Sequence, residues 1–254
     1  MLYSLLRSGG DLSFLNIVLM LVSYAVLILV MLPVHEFAHA ATAHWLGDYT
    51  PKAYGRLTLN PKAHLDPWGA IMLVLCGFGY AKPVAVNPYN FRRMKPKGGM
   101  AVTALAGPLS NLLMAYAALL VFRIYLLISG GDILTAGNTV YLDSELTKYL
   151  YLIFVDVFAG INIGLAVFNL LPIPPLDGSR IFYVFLPPKW YFGVMKYERI
   201  IAIVMLALLW LNILTVPLGW AVNGLTRVTF FIFGMNEESS VALNLIQFFV
   251  GSFI

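Results

Sequence analysis

The sequence predicts an all-α, multi-pass membrane protein: a bundle of about four to six transmembrane helices with a small membrane-associated β element. Of its 254 residues, 60% are hydrophobic and only 11% charged, with a mean hydropathy of +0.83. That is more apolar surface than a soluble globule of this length can bury. The apolar residues gather in runs at about 12–46, 100–129, 149–171 and 200–220, each long enough to cross a hydrocarbon layer of roughly 30 Å. The net charge of +4 comes from basic residues in short connections between those runs. They form no stripe that a nucleic acid could follow, so DNA and RNA are excluded and the lipid bilayer is the expected partner.

Each run has its own reading. Arg7 precedes the first, which is too long for a cleaved signal core and leads directly into histidines, so it is expected to remain as a helix. The glycine-rich stretch Trp68 to Ala81 has 14 residues and reads as a re-entrant or interfacial segment. The tail Val241 to Ile254 is equally short. "GRLTLN" (55–60) and "KPVAVN" (82–87) alternate polar and apolar residues between turn signals, so each reads as a short strand of a small sheet. The edge of such a sheet would hold an extended peptide by strand addition. The lone cysteine, Cys76, excludes an internal disulfide and a cysteine-based zinc site. No repeat or low-complexity linker interrupts the chain, which reads as one integral domain over 1–254, with a core of about 13–181 and C-terminal helices over 199–254.

Loop charge sets the orientation. Lys82, Arg92, Arg93, Lys95 and Lys97 share a loop without an acidic residue, whereas 123–148 holds two basic and three acidic residues. The first loop is therefore expected in the cytoplasm and the second outside. On that count the first helix runs inward and ends near the cytoplasmic face.

At that end stands "LPVHEFAHAATAH" (32–44). On a helix His35 and His39 share a face, with Glu36 beside them, which is the HExxH arrangement. Two imidazoles offer nitrogen ligands to one Zn²⁺, and the glutamate serves as base for the attacking water. Titratable groups are costly at membrane depth and mark function there. Pro33, two residues earlier, is placed to open the helix and admit water.

A catalytic zinc takes three protein ligands and keeps one open position. His44 stands about 140° round the helix from His39 and points away. The carboxylates that remain are Asp66, Asp156 and Asp177. Asp66 sits in an Asp-Pro turn, and Asp156 lies in the outer half of its span, too far along it. Asp177 is favoured, because it ends "FNLLPIPPLDG", whose prolines cannot continue a helix and leave an extended chain free to fold back.

These blocks, with "AGPLSN", "GRLTLNPKAHLDPWG" and "KPVAVNPYNFR", resemble the site-2 protease family of intramembrane zinc metalloproteases across residues 33–181. The chain looks like the compact bacterial and archaeal subgroup without PDZ or CBS domains. The resemblance implies one Zn²⁺ per chain held by His35, His39 and Asp177, with Glu36 as catalytic base. It also implies that Asn169 donates a hydrogen bond to the substrate or its oxyanion. His64 reads as a turn-stabilising residue, and the role of Asn111 stays open.

The function expected is an endopeptidase that cuts transmembrane segments of other membrane proteins near the cytoplasmic face of the plasma membrane. The alternative is a zinc-binding scaffold or transporter. A transport path calls for further intramembrane carboxylates, of which Asp156 alone is present.

Overall fold

A computed structural model describes residues 21–22, 25–76, 81–129, 134–136, 139–141, 145–187, 193–194, 196–211 and 213–233. The first half of the opening apolar run and the tail 241–254 lie outside them. The described chain is mostly helical.

Helix α1 (Leu32–Leu46) carries the HExxH residues and follows a π-wound turn, Leu27–Met31. Pro33 has no N–H to give Leu29, and the turn before it widens so that Leu32 N–H reaches Leu27 O. The opening expected at this proline is thus a widened turn, with the helix continuous through it. Gly47 ends α1 in the left-handed region at φ 109°, which glycine enters without a Cβ penalty, and Asp48 N–H returns to Ala43 O at 3.0 Å.

Asp48 ties this end to a distant segment. Its fully buried carboxylate accepts the Thr50 N–H at 3.0 Å, the Asn87 N–H at 2.7 Å and the Asn90 amide at 2.9 Å. Arg92 N–H then caps Leu46 O at 2.8 Å. The "KPVAVNPYNFR" block therefore acts as a brace on the end of the histidine helix.

The strands expected at 55–60 and 82–87 do not form. Residues 55–60 make a turn and bends, and 82–87 forms no ladder, beside a lone bridge between Leu65 and Ala81. Alternation settles which side chains share a face, but a ladder also needs a partner about 4.8 Å away, and Arg56 instead turns inward to donate to Ala63 O. The strand pair among the described residues is β1 (Leu134–Ala136) with β2 (Thr139–Tyr141), antiparallel, in a different loop.

Helix α2 (Pro67–Cys76) begins at Asp66, whose Oδ1 accepts the Trp68 and Gly69 N–H groups at 3.0 Å each. Its ten residues rise only about 15 Å. Helix α3 (Pro96–Ser129) has 34 residues and is the one described helix long and apolar enough to cross a membrane. Helix α4 (Glu145–Tyr151) runs through π-wound residues Leu152–Gly160 into α5 (Ile161–Asn169). Turns over 170–176 lead to the short α6 (Asp177–Phe182).

The apolar run 200–220 was expected as one span, but it is divided into α7 (Glu198–Trp210) and α8 (Thr215–Ile232). Pro217 is the reason on the α8 side: a residue without N–H is tolerated in a first helical turn, not in a helix interior. Hydropathy does not record such a break.

A buried apolar cluster joins α3, the π–α5 segment and α8. Ala115, Leu119, Phe122 and Leu126 of α3 form a stripe at steps of four, three and four. They meet Val155, Ile163 and Val167 of the π–α5 segment and Leu218, Val222 and Phe230 of α8. Helix α1 lies along α3, and α6 also packs on α3, so that α3 becomes the common wall of the histidines and of Asp177.

Candidate metal centre

His35 and His39 stand one turn apart on the buried face of α1, 6% and 8% exposed. Their Nε2 atoms approach to 3.1 Å. Asp177, the first residue of α6, brings Oδ2 to 3.1 Å from His35 Nε2 and 3.2 Å from His39 Nε2. Three atoms from residues 142 positions apart (177 − 35) thus form a near-equilateral triangle. The turn that delivers the aspartate differs from the extended chain expected of its prolines. Leu171 N–H returns to Phe168 O at 3.1 Å and Leu176 N–H to Ile173 O at 2.9 Å, so 170–176 is folded on itself.

The donor set fits zinc. Ligands about 2.1 Å from a tetrahedral ion stand about 3.4 Å from one another, within a few tenths of an ångström of the triangle. His39 Nδ1 lies 2.7 Å from Thr103 O; a backbone carbonyl only accepts, so Nδ1 carries the proton and Nε2 presents a lone pair. Asp177 Oδ2 is buried and accepts no regular hydrogen bond among the described residues, so a bare carboxylate oxygen faces the two nitrogens. Unliganded, that oxygen is costly at this depth.

Two glycines make room for the cluster. A Cβ on Gly107 of α3 would stand 2.5 Å from His39 Nε2 and 2.6 Å from His35 Cε1. A Cβ on Gly178 would stand 2.2 Å from Leu170 O and 2.4 Å from Leu171 O. The first lets both imidazoles lie against α3; the second lets α6 start against the end of α5. Pro108 adds a local opening, because it has no N–H for Ala104 O, next to the carbonyl that His39 uses.

Residues 23–212 match Peptidase family M50. The chain belongs to that family. It is therefore a zinc metalloendopeptidase. This M50 peptidase is 40% identical over 176 residues to "Putative zinc metalloprotease YwhC" of Bacillus subtilis (strain 168), covering 69% of this chain and 74% of that protein. It is 30% identical over 155 residues to the Rip2 protein of Mycolicibacterium smegmatis, which bears the same designation, across 59% of this chain and 52% of the relative. Rip2 of Mycobacterium tuberculosis is 33% identical over 153 residues, again with about half of the relative (52%) covered. No solved structure matches the chain.

The other residues singled out in this M50 peptidase have their own placements. Glu36 lies between the histidines on α1, half-buried, and none of its described contacts is a hydrogen bond. Asn169 ends α5 and donates Nδ2 to Leu165 O at 3.0 Å; its described contacts do not reach the triangle. His44 packs edge-on against Tyr49 at 4.8 Å. His64 is fully buried, with Nε2 2.7 Å from Thr58 O, the turn contact expected of it. Asp66 caps α2, and Asp156 lies in the π-wound segment. Thr103, Gly107 and Gly178 carry no signal of their own in the sequence beyond the "AGP" and "LDG" blocks that contain the glycines.

Proposed function

We propose that this zinc peptidase cuts peptide bonds in or near transmembrane segments of other membrane proteins, with His35, His39 and Asp177 as zinc ligands and Glu36 as base. The observation that carries the reading is the triangle of two Nε2 atoms and one Oδ2 with sides of 3.1, 3.1 and 3.2 Å. Zinc, when bound, acidifies water and polarises the scissile carbonyl. Glu36 takes the proton from the attacking water and later returns it to the leaving amine. Asn169 retains one amide hydrogen beyond the one given to Leu165, and that hydrogen serves the developing oxyanion.

We read the chain as one integral domain of about four to six transmembrane helices in the plasma membrane. The site faces the cytoplasmic side. The apolar α3 and the five basic residues of 82–97 support this orientation. Helix α3, about 51 Å long, exceeds the hydrocarbon core and carries its Pro96 end beyond it. Lys97 there donates to Leu186 O at 2.9 Å, which links the start of α3 to the chain just after α6.

The test is to purify the wild type, Glu36→Gln and Asp177→Asn, quantify zinc, and assay cleavage of a membrane substrate. Glu36→Gln is expected to keep zinc and lose cleavage. Asp177→Asn is expected to lose both. A scaffold or transporter would work unchanged with glutamine at 36, and full zinc in Asp177→Asn would remove it as a ligand.

A further inference from the structure

Helix α3 carries Thr103, Gly107 and Asn111 at successive four-residue steps, and all three are buried. The first receives His39 and the second makes room for both rings. Asn111, fully buried, places Oδ1 3.0 Å from His35 Nδ1. Helices α1 and α3 run antiparallel, so the two histidines, one turn apart, meet two acceptors that flank a glycine.

We propose that Asn111 is a positioning residue for the zinc: its side-chain oxygen holds His35 with the proton on Nδ1 and so turns the Nε2 lone pair toward the ion. This rests on the assignment of His35 as a ligand. The tautomer of an imidazole is set by the partner of its other nitrogen. At His39 that partner is a backbone carbonyl, which enforces the Nδ1–H form. At His35 the partner is an amide, which can present either end. With the amide reversed, Nδ2 would donate to Nδ1 and move the ring proton to Nε2, where it would point at His39 Nε2 and Asp177 Oδ2. The oxygen-inward orientation is the one compatible with a metal.

The remaining polar atom of this side chain supports the assignment. Asn111 Nδ2 is buried with no hydrogen-bond partner among the described residues. Packing alone would be served by a leucine of similar shape, without a buried donor left unpaired. What asparagine adds over that leucine at this contact is its acceptor oxygen, 3.0 Å from His35 Nδ1.

The experiment uses the full chain in detergent, with zinc affinity measured by competition against a chromogenic chelator and the visible spectrum recorded after cobalt substitution. Asn111→Leu removes the acceptor and keeps the shape; Asn111→Asp keeps an acceptor oxygen. Asn111→Leu is expected to weaken zinc binding by about 10- to 100-fold and to shift the cobalt bands. Asn111→Asp is expected to bind zinc as tightly as the wild type or more so, because a carboxylate acceptor raises ligand basicity. Wild-type affinity in Asn111→Leu would overturn the proposal. So would an Asn111→Asp variant that folds but loses zinc, a result that stands even if the leucine variant does not fold. His35→Gln serves as the control: zinc retained there would overturn the ligand assignment itself, whereas zinc lost there but kept in Asn111→Leu overturns only the positioning role.

Discussion

Gly107 lies against His39 so closely that a Cβ on the glycine would stand 2.5 Å from the imidazole Nε2. The added methyl of Gly107→Ala would also meet His35 Cε1 at 2.6 Å. Neither ring has room to retreat, since both are buried and held at Nδ1. This variant is expected to weaken zinc binding by at least about tenfold. Zinc content per chain after dialysis checks it, and a stoichiometric ion in the alanine variant would show that the rings do not need this approach.

Gly178 sits one residue past the aspartate, and there the obstacle is backbone. Leu170 O and Leu171 O lie 2.2 and 2.4 Å from where its Cβ would be. Gly178→Ala is expected to push α6 away from α5, cost about 1–3 kcal/mol as overpacking does, and lower both the unfolding temperature and the zinc content. An unchanged melting profile would show that the contact yields freely.

Asp48 gives the fold a pH dependence outside the apolar helices. Burial pushes its carboxyl pKa up, but hydrogen bonds from Thr50, Asn90 and Asn87 outweigh burial and hold it below the usual carboxylate value. A folded pKa below the unfolded value of about 3.9 means stability that is present above that value and lost as pH falls through it toward the folded one. Wild type is therefore expected to exceed Asp48→Asn in stability at neutral pH, with the gap closing below about pH 4. Denaturation of both at a series of pH values reads the gap; a constant difference would contradict the assignment. Asp48→Ala, which removes the acceptor that Thr50, Asn87 and Asn90 share, is expected to cost about 1–3 kcal/mol.

The oxyanion role proposed for Asn169 predicts that chemistry and metal binding separate at this residue. In Asn169→Ala the zinc content is expected to stay whole, while cleavage of a membrane substrate falls by about 10²- to 10³-fold. Cleavage at the wild-type rate would remove this side chain from the reaction.

The legible part of the centre was the part encoded locally. His35 and His39 share a face because four residues make one helical turn, whatever surrounds them. Asp177 could be favoured over Asp66 and Asp156 because prolines end the preceding helix. The structure reaches the same proximity by a folded turn. The glycines at 107 and 178 and the carbonyl of Thr103 were not legible, since the need for space or for an acceptor depends on which element packs opposite. The strands at 55–60 and 82–87 failed for a related reason: alternation describes one segment, and a ladder requires two.

Composition and helical spacing by themselves determined an apolar, helical chain with two histidines and a glutamate in the HExxH spacing on one turn. Both are properties of a few consecutive residues and of the solvent they prefer. Only the packing of α1 and α6 on α3 decided that an aspartate 142 positions (177 − 35) beyond the first histidine brings its carboxylate oxygen to 3.1 Å from that imidazole, and that a glycine opposite leaves the gap in which the three atoms meet. Such proximity is a balance of many contacts between distant segments, and no short stretch of sequence contains it.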